Sequence, residues 1–413
     1  MQVCRISVKS ASVSLDKGVS FRLTESTAKA RGKARQLVTR AVSCGGKKVP
    51  EKRVMNSPEK YHTVQKGRDL QGRETTQGYV PVIDISGFVP GQPRESPANL
   101  SLCDEVDAAF RQAGFFIATG HGVPPELLAS AKRVCREFFS LSPGEKGAVA
   151  HPKKGFIPVG GCQNQVRSTS LHEKWSCGRV DGIDPSTEYY QNSVYFGEPN
   201  LWPQRPHDFE PTMTRYYKEM EALTLRLLSL TATALRLPHT FFDDKMDRHV
   251  TNLVALRYPP QVREPAPGEM RARPHTDPTA LTVLAHDKEP GEPSGLEVLH
   301  DTMGSWEPIP VVAGGLVVNV GDLLHLWSGG EFRSAKHRVV NGADDRLTIS
   351  YFAMPNYDAT IAPVPTVAGA DTFAPIRAGD ISHFTQLKRE EEGLEDPQLL
   401  ENQVVKSTTS TSP

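Results

Sequence analysis

After Asn252 the chain changes texture. Apolar and β-branched runs ("LVALRYPP", "ALTVLAHD", "GLEVLH", "GGLVVNVGDLLHLWSGG", "KHRVV", "RLTISYFAMP") alternate with Gly, Pro, Asn and Asp. The runs are short and strand-like. Strands at this spacing fold into a sandwich or a barrel. The sequence before Asn252 reads differently. In "SLCDEVDAAFRQAG", Leu102, Val106, Ala109, Phe110 and Ala113 share one helical face. Ser101 and Asp104 have capping-box spacing, and Gly114 can end the helix. "PPELLASAKRVCREFFSLS" repeats the pattern with Leu127, Ala131, Val134 and Phe138. The longest helix is expected over 214–238, with Tyr216, Met220, Leu223, Leu227, Leu230 and Ala234 as a buried stripe. "YVPVIDISGF" (79–88) and "FFIATGHG" read as strands, and 140–210 is less regular. Helices therefore come first and a β-rich core second: a mainly β chain with flanking helices, in the α+β class.

Charge divides the chain further. The 48 basic and 48 acidic residues cancel overall, so bulk charge gives no reason to expect nucleic acid or an anionic membrane as partner. Residues 1–60, however, hold fourteen Lys/Arg against four Asp/Glu, a net of +10, and are rich in Ser, Thr and Ala. That composition is expected of an organelle transit peptide, chloroplast ahead of mitochondrion. A basic tail on a cytoplasmic protein is the other reading. No run approaches the roughly 18 apolar residues of a membrane helix. The six cysteines include no Cys-x-x-Cys pair and read as reduced thiols. The expected organisation is a leader over 1–60, a polar linker over 61–78 and a helical region over 79–250. A β-rich core over 251–360 and a polar C-terminal segment over 361–413 complete it. A monomer is the default.

The chemistry lies in "PHTDPTALTVLAHD" (274–287). His275 and Asp277 stand two residues apart and, on a strand, point the same way. They are either two solvated polar groups or two ligands of one ion. His337 follows sixty residues after Asp277, in "SAKHRVVNG". Two imidazoles and one carboxylate without a thiolate match the facial triad of non-haem Fe(II). Zinc also accepts His and Asp, although no general base with the usual helix spacing is evident. In "RLTISYF", Arg346, Thr348, Ser350 and Phe352 share a face, so a guanidinium and hydroxyls are presented together. A guanidinium binds a carboxylate bidentately, so Arg346 either holds an anionic ligand or pairs with Asp322 or Asp345. The remaining signals read as structural. His121 orders a turn, His325 lies on a strand, Asn319, Gly321 and Asp322 form a turn, and Trp306 and Trp327 pack.

Taken together, the motifs resemble the Fe(II)/2-oxoglutarate-dependent oxygenases, in the branch that includes isopenicillin N synthase. "VPVIDIS", "GFFIATGHGVP", "HEKWSCG", "NLWP", "LRYPP", "HTDPTALTVLAHD", "NVGDLLHLWSGGEFRSAKHRVV" and "RLTISYF" occur in the family's order between about Val80 and Tyr357. The resemblance implies a double-stranded β-helix (jelly roll) flanked by helices. It implies Fe(II) on His275, Asp277 and His337, and the distal carboxylate of 2-oxoglutarate on Arg346. Thr348 stands where the family usually has Ser, and Tyr258 matches a tyrosine near the same carboxylate. The family's frequent Asn two positions before that tyrosine is Leu256 here. Phe352 matches a substrate-pocket position. The implied reaction consumes dioxygen, converts 2-oxoglutarate to succinate and CO2, and hydroxylates, desaturates or cyclises a small organic molecule, with ascorbate as a stimulant. Two other readings stay open: a same-fold Fe(II) oxidase that does not use 2-oxoglutarate, and a jelly-roll binding protein without activity.

Overall fold

The computed structural model describes residues 67–68, 74–75, 78–151, 154–159, 171–181, 186–191, 199–266, 269–364 and 374–381. The leader expected over 1–60, most of the expected linker and the polar tail after Ile381 lie outside the described residues. In chain order, β1 (Gly67–Arg68) pairs antiparallel with β2 (Glu74–Thr75). There follow β3 (Val82–Asp84), α1 (Leu100–Gln112), β4 (Phe115–Thr119), α2 (Pro125–Phe139), α3 (Pro143–Gly147), β5 (Gly155–Ile157), β6 (Glu173–Cys177), α4 (Glu188–Gln191), α5 (Phe209–Ala234) and α6 (Asp243–Met246). The second half contains β7 (Asn252–Tyr258), β8 (Ala272–His275), β9 (Leu281–His286), β10 (Leu296–Leu299), β11 (Trp306–Pro308), β12 (Leu316–Val320), α7 (Asp322–Trp327), β13 (His337–Val339) and β14 (Arg346–Ala353).

Two sheets form the core. The larger has the order β3-β4-β12-β9-β14-β7-β6-β5, and the smaller β11-β10-β13-β8. Strand β9 shows why the large sheet has two faces. Leu281, Val283 and Ala285 join the apolar cluster that contains the helical residues of α1, α2 and α5. Leu284, on the opposite face, joins a second cluster with Tyr258, Leu296, Val298, Val317 and Val339, which come from both sheets. A sheet covered on both sides needs apolar residues at nearly every position, and β12 (Leu316–Val320) is buried throughout. The two-sheet arrangement is the double-stranded β-helix expected from the resemblance.

The helical expectations are met in kind, with shifted ends. The stripe Tyr216, Met220, Leu223, Leu227, Leu230 and Ala234 is buried. Helix α5 starts at Phe209, because Pro211 is tolerated in a first turn. It stops at Ala234, just before Arg236 adopts a left-handed φ of 60°. The capping box of α1 does not form: Ser101 Oγ donates to Glu105 instead (3.0 Å). Asn99, buried at the N-cap position, uses its amide on the carbonyls of Val89 and Gln92 (3.1 Å each) and so braces the preceding loop. The strand expected over 79–88 shrinks to Val82–Asp84, which pairs parallel with β4.

The largest correction concerns "GGLVVNVGDLLHLWSGG". Asn319 and Val320 belong to β12, and Asp322 opens the short helix α7, so His325 is helical rather than on a strand. Gly321 is the reason for the break. A Cβ there would stand 2.1 Å from the carbonyl oxygen of Thr279, so only glycine permits this approach. The contact seats Gly321 N on Ala280 O (3.0 Å), Asp322 N on Asp277 O (2.7 Å) and Leu323 N on Thr279 O (3.0 Å). Gly321→Ala is therefore expected to destabilise the protein by about 1–3 kcal/mol, as overpacking of a filled site does. Denaturant unfolding checks this; an unchanged midpoint would mean that the turn after Asp277 yields without cost.

Candidate metal centre and anion pocket

Strand β8 ends at His275, and its backbone pairs directly with His337 of β13. That register places the two imidazoles side by side, with ring centroids 4.3 Å apart. Asp277 lies beyond the strand end, so strand alternation does not aim it, contrary to the sequence expectation. Tertiary hydrogen bonds aim it instead. Thr282 Oγ1 of β9 and Asn319 Nδ2 of β12 both donate to Asp277 Oδ2, at 2.7 and 2.8 Å. The other oxygen, Oδ1, faces His275 Nε2 at 3.7 Å and His337 Nε2 at 3.5 Å.

The imidazoles are oriented in the same manner. Nδ1 of His275 lies 2.6 Å from the carbonyl of Arg273, and Nδ1 of His337 lies 3.1 Å from that of Ala335. A carbonyl only accepts, so Nδ1 carries the hydrogen and each Nε2 presents a lone pair. One ligand atom from each of the three residues lies within 4.8 Å of the others. Burial disfavours charge on Asp277, but the two imidazoles and the Asn319 bond hold its carboxyl below the usual carboxylate range. Burial likewise opposes charge on His337, and Asp277 outweighs it, raising the imidazole pKa. Asp277 and His337 are buried, whereas His275 is 35% exposed. Two nitrogens and one oxygen on one side fit Fe(II), which takes the imidazoles in their neutral form, with positions left for other ligands.

The second half of the site is an anion pocket. Arg346 opens β14 opposite Tyr258 of β7, and its guanidinium lies 4.7 Å from that ring's centre. Its Nε donates to the carbonyl of Ser294 (2.7 Å), while Nη1 and Nη2 are buried without a hydrogen-bond partner among the described residues. Burial lowers its pKa, and Tyr258 partly offsets this. The pairing of Arg346 with Asp345 or Asp322 is not found. Asp345 accepts from Arg257 (2.7 Å) and Arg136 (3.1 Å). Asp322 accepts from Thr276 (3.2 Å) and Ser334 (2.6 Å). A buried guanidinium with two idle nitrogens and no carboxylate is costly unless a ligand completes it. The hydroxyls of Thr348 and Ser350, on the same face, are buried and unpartnered too. Phe352, the last of that row, is half-buried and paired with Thr282. It therefore stands next to the residue that bonds Asp277.

Other residues behave as expected or are corrected. His121 orders its turn, with Nε2 2.7 Å from Gly314 O and Nδ1 accepting from Val123 N (3.1 Å). His300 stacks on Tyr79 with centroids 4.0 Å apart. His325 Nδ1 lies 2.7 Å from Phe332 O, within the helical layer. Trp327 is buried, and Trp306 lies beneath Arg338. Cys103, Cys135 and Cys177 are buried thiols without disulfides. Asn319 and Asp322 are more than a turn, since one orients the carboxylate of Asp277 and the other clamps its carbonyl. Only pairing between strands distant in sequence identifies them. Asn319→Ala is expected to weaken metal binding about 10- to 100-fold, as loss of a partner that orients a ligand does. Fe(II) titration under argon reads this directly, and an unchanged affinity would assign the orientation to Thr282 alone.

Comparison with known proteins agrees with this geometry. Residues 250–355 match the 2OG-Fe(II) oxygenase superfamily, and residues 80–205 match the N-terminal region named for the non-haem dioxygenase in morphine synthesis. A 2-oxoglutarate-dependent dioxygenase from Didymella fabae is 30% identical over 296 residues, 68% of this chain and 86% of that protein. Validamycin A dioxygenase from Streptomyces hygroscopicus subsp. limoneus is 29% identical, over 72% and 83%. Among solved structures, a full-length Neurospora crassa protein crystallised in complex with alpha-KG superimposes with a TM-score of 0.62 at 26% identity, covering 73% of this chain and 94% of that one. The dioxygenase for auxin oxidation from rice gives 0.57 at 26% identity, over 76% and 96%. The chain belongs to the Fe(II)/2-oxoglutarate-dependent oxygenases, in their isopenicillin N synthase-like branch, and is a dioxygenase that uses Fe(II) and 2-oxoglutarate on small organic molecules.

Proposed function

We propose that His275, Asp277 and His337 hold the iron, that Arg346, Thr348 and Tyr258 hold the distal carboxylate of 2-oxoglutarate, and that Phe352 faces the organic substrate. The observation that carries this reading is the pair of unpartnered guanidinium nitrogens on Arg346, buried on the same face of β14 as Phe352. Bound iron supplies oxygen activation coupled to decarboxylation of 2-oxoglutarate, with succinate and CO2 as products. The chain's own residues do the rest. The carbonyls of Arg273 and Ala335 keep both Nε2 lone pairs aimed at the metal. Thr282 and Asn319 hold one oxygen of Asp277 so that the other remains a ligand. Arg346, itself buried, neutralises and orients the co-substrate. The oxidised product is a hydroxylated, desaturated or cyclised small molecule.

Succinate formation tests this. The purified full chain, loaded anaerobically with Fe(II) and then given dioxygen and 2-oxoglutarate, is expected to release succinate, and more of it with a metabolite extract. Asp277→Ala should lose both iron and succinate. A folded Asp277→Ala protein with full iron content and turnover would overturn the ligand assignment. Arg346→Ala should raise KM for 2-oxoglutarate about 100-fold, the scale of losing charged hydrogen bonds, with a smaller change in kcat. An unaltered KM would remove Arg346 from the co-substrate site.

A further inference from the structure

His286 is the last residue of β9 and stands directly opposite Thr348 of β14. It shares its face of β9 with Thr282 and Leu284, because strand residues alternate. Its neighbour Asp287 goes elsewhere: it accepts from Leu347 N (3.0 Å) and pairs with Arg136 of α2. His286 is 6% exposed, and neither ring nitrogen has a hydrogen-bond partner among the described residues. Burial, with the charges of Arg346 and Lys132 adding to it, drives its pKa well below the usual imidazole value, so the ring is neutral. A neutral imidazole has one N–H to donate and one lone pair to receive. Leaving both idle in a core is costly, and no hydrogen bond from the described residues offsets that.

The idle groups form one set. Arg346 Nη1 and Nη2, Thr348 Oγ1 and both nitrogens of His286 are unpartnered polar atoms on adjoining positions of β14 and β9. An ionised carboxylate has two oxygens and about four lone-pair positions. Arg346 and Thr348 bring donors to it, and Tyr258 lies alongside, its ring 4.7 Å from the guanidinium. We propose that His286 donates a further hydrogen bond, making it a direct contact for the distal carboxylate of 2-oxoglutarate and a determinant of selectivity for a co-substrate that carries that group. The inference rests on the assignment of Arg346 to the same carboxylate. The register places the contact at the distal end. Thr282, which bonds the ligand Asp277, starts the row, and His286 ends it about 13 Å further along at roughly 3.3 Å per residue. Neutrality suits the task. Arg346 already matches the carboxylate's charge, and a second buried cation beside it would repel the first in the empty pocket.

The test compares two ligands that differ only at the distal end. 2-Oxoglutarate and 2-oxopentanoate share the keto acid that chelates metal, but only the first has the second carboxylate. Calorimetric titration of the Fe(II)-loaded protein under argon gives both affinities. His286→Leu is expected to weaken 2-oxoglutarate about 10- to 100-fold and to leave 2-oxopentanoate within about twofold. His286→Gln, which keeps an N–H donor, should recover most of the loss. Equal weakening of both ligands, or of neither, overturns the proposal. Arg346→Ala serves as the control for the underlying assignment. If it loses 2-oxoglutarate while His286→Leu does not, the pocket stands and the role of His286 falls. If neither variant responds, the pocket itself is misplaced. Should the Leu variant not fold, the Zn(II)-loaded wild type decides. The side-chain ¹⁵N signals of His286 should move on adding 2-oxoglutarate and stay on adding 2-oxopentanoate; any other pattern overturns the proposal.

Discussion

The carboxylate of Asp277 is divided between two tasks, and the rest of the site depends on that division. One oxygen is tied to Thr282 and Asn319; the other faces two imidazole nitrogens. The ties come from two central strands of the large sheet, so the ligand is as rigid as the sheet. The backbone of Asp277 is held as well, by the amide of Asp322 at the start of α7. That contact requires the close approach of Gly321 to Thr279. A residue in a turn, beyond the end of its strand, thus acquires the precision of a strand residue. A metal ligand needs this, because geometry displaced by an ångström coordinates poorly.

The large sheet makes the anion pocket possible. Its outer face is covered by α1, α2 and α5, and its inner face by the small sheet. The inner face of β14 is thereby removed from water from Arg346 to Ser350, and any polar group there must find a partner in the protein or in a ligand. Arg346 Nε finds the carbonyl of Ser294. Its two other nitrogens, with Thr348, Ser350 and His286, find none among the described residues. In a core where buried polar groups are almost always satisfied, such a concentration on one inward face marks a binding site more firmly than any single residue does.

The helices are attached through charge as well as apolar packing. Lys146 of α3 reaches Glu173 of β6 (2.8 Å), Glu173 reaches Arg257 of β7 (3.0 Å), and Arg257 reaches Asp345 (2.7 Å). Arg136 of α2 continues the chain from Asp345 (3.1 Å) to Asp287. This network occupies the acids on either side of the anion pocket. Arg257 and Arg136 take Asp345, the residue next to Arg346, so the guanidinium of Arg346 forms no ion pair with it, and none with another acid among the described residues.

The sequence by itself determined most element types, the buried helical stripes and which residues offer metal-ligating and anion-binding chemistry. Those properties are local. Periodicity selects helix or strand, and His, Asp and Arg carry the same chemistry in any fold. "HTD", His337 and "RLTISYF" could be read as ligands and anion binder before any contact was known. The tertiary structure alone decided which atoms meet. Asn319 and His325 lie in elements that differ from their local pattern, because the break at Gly321 depends on a carbonyl forty-two residues earlier in the chain, which no window of sequence contains. Asp277 lies beyond the end of β8, and its aim comes from two other strands. Nothing in "ALTVLAHD" singles out His286; its place opposite Thr348 exists only once β9 and β14 are paired. Pairing between distant segments is set by the burial of whole faces, and its consequences for single side chains exist only once those faces have met.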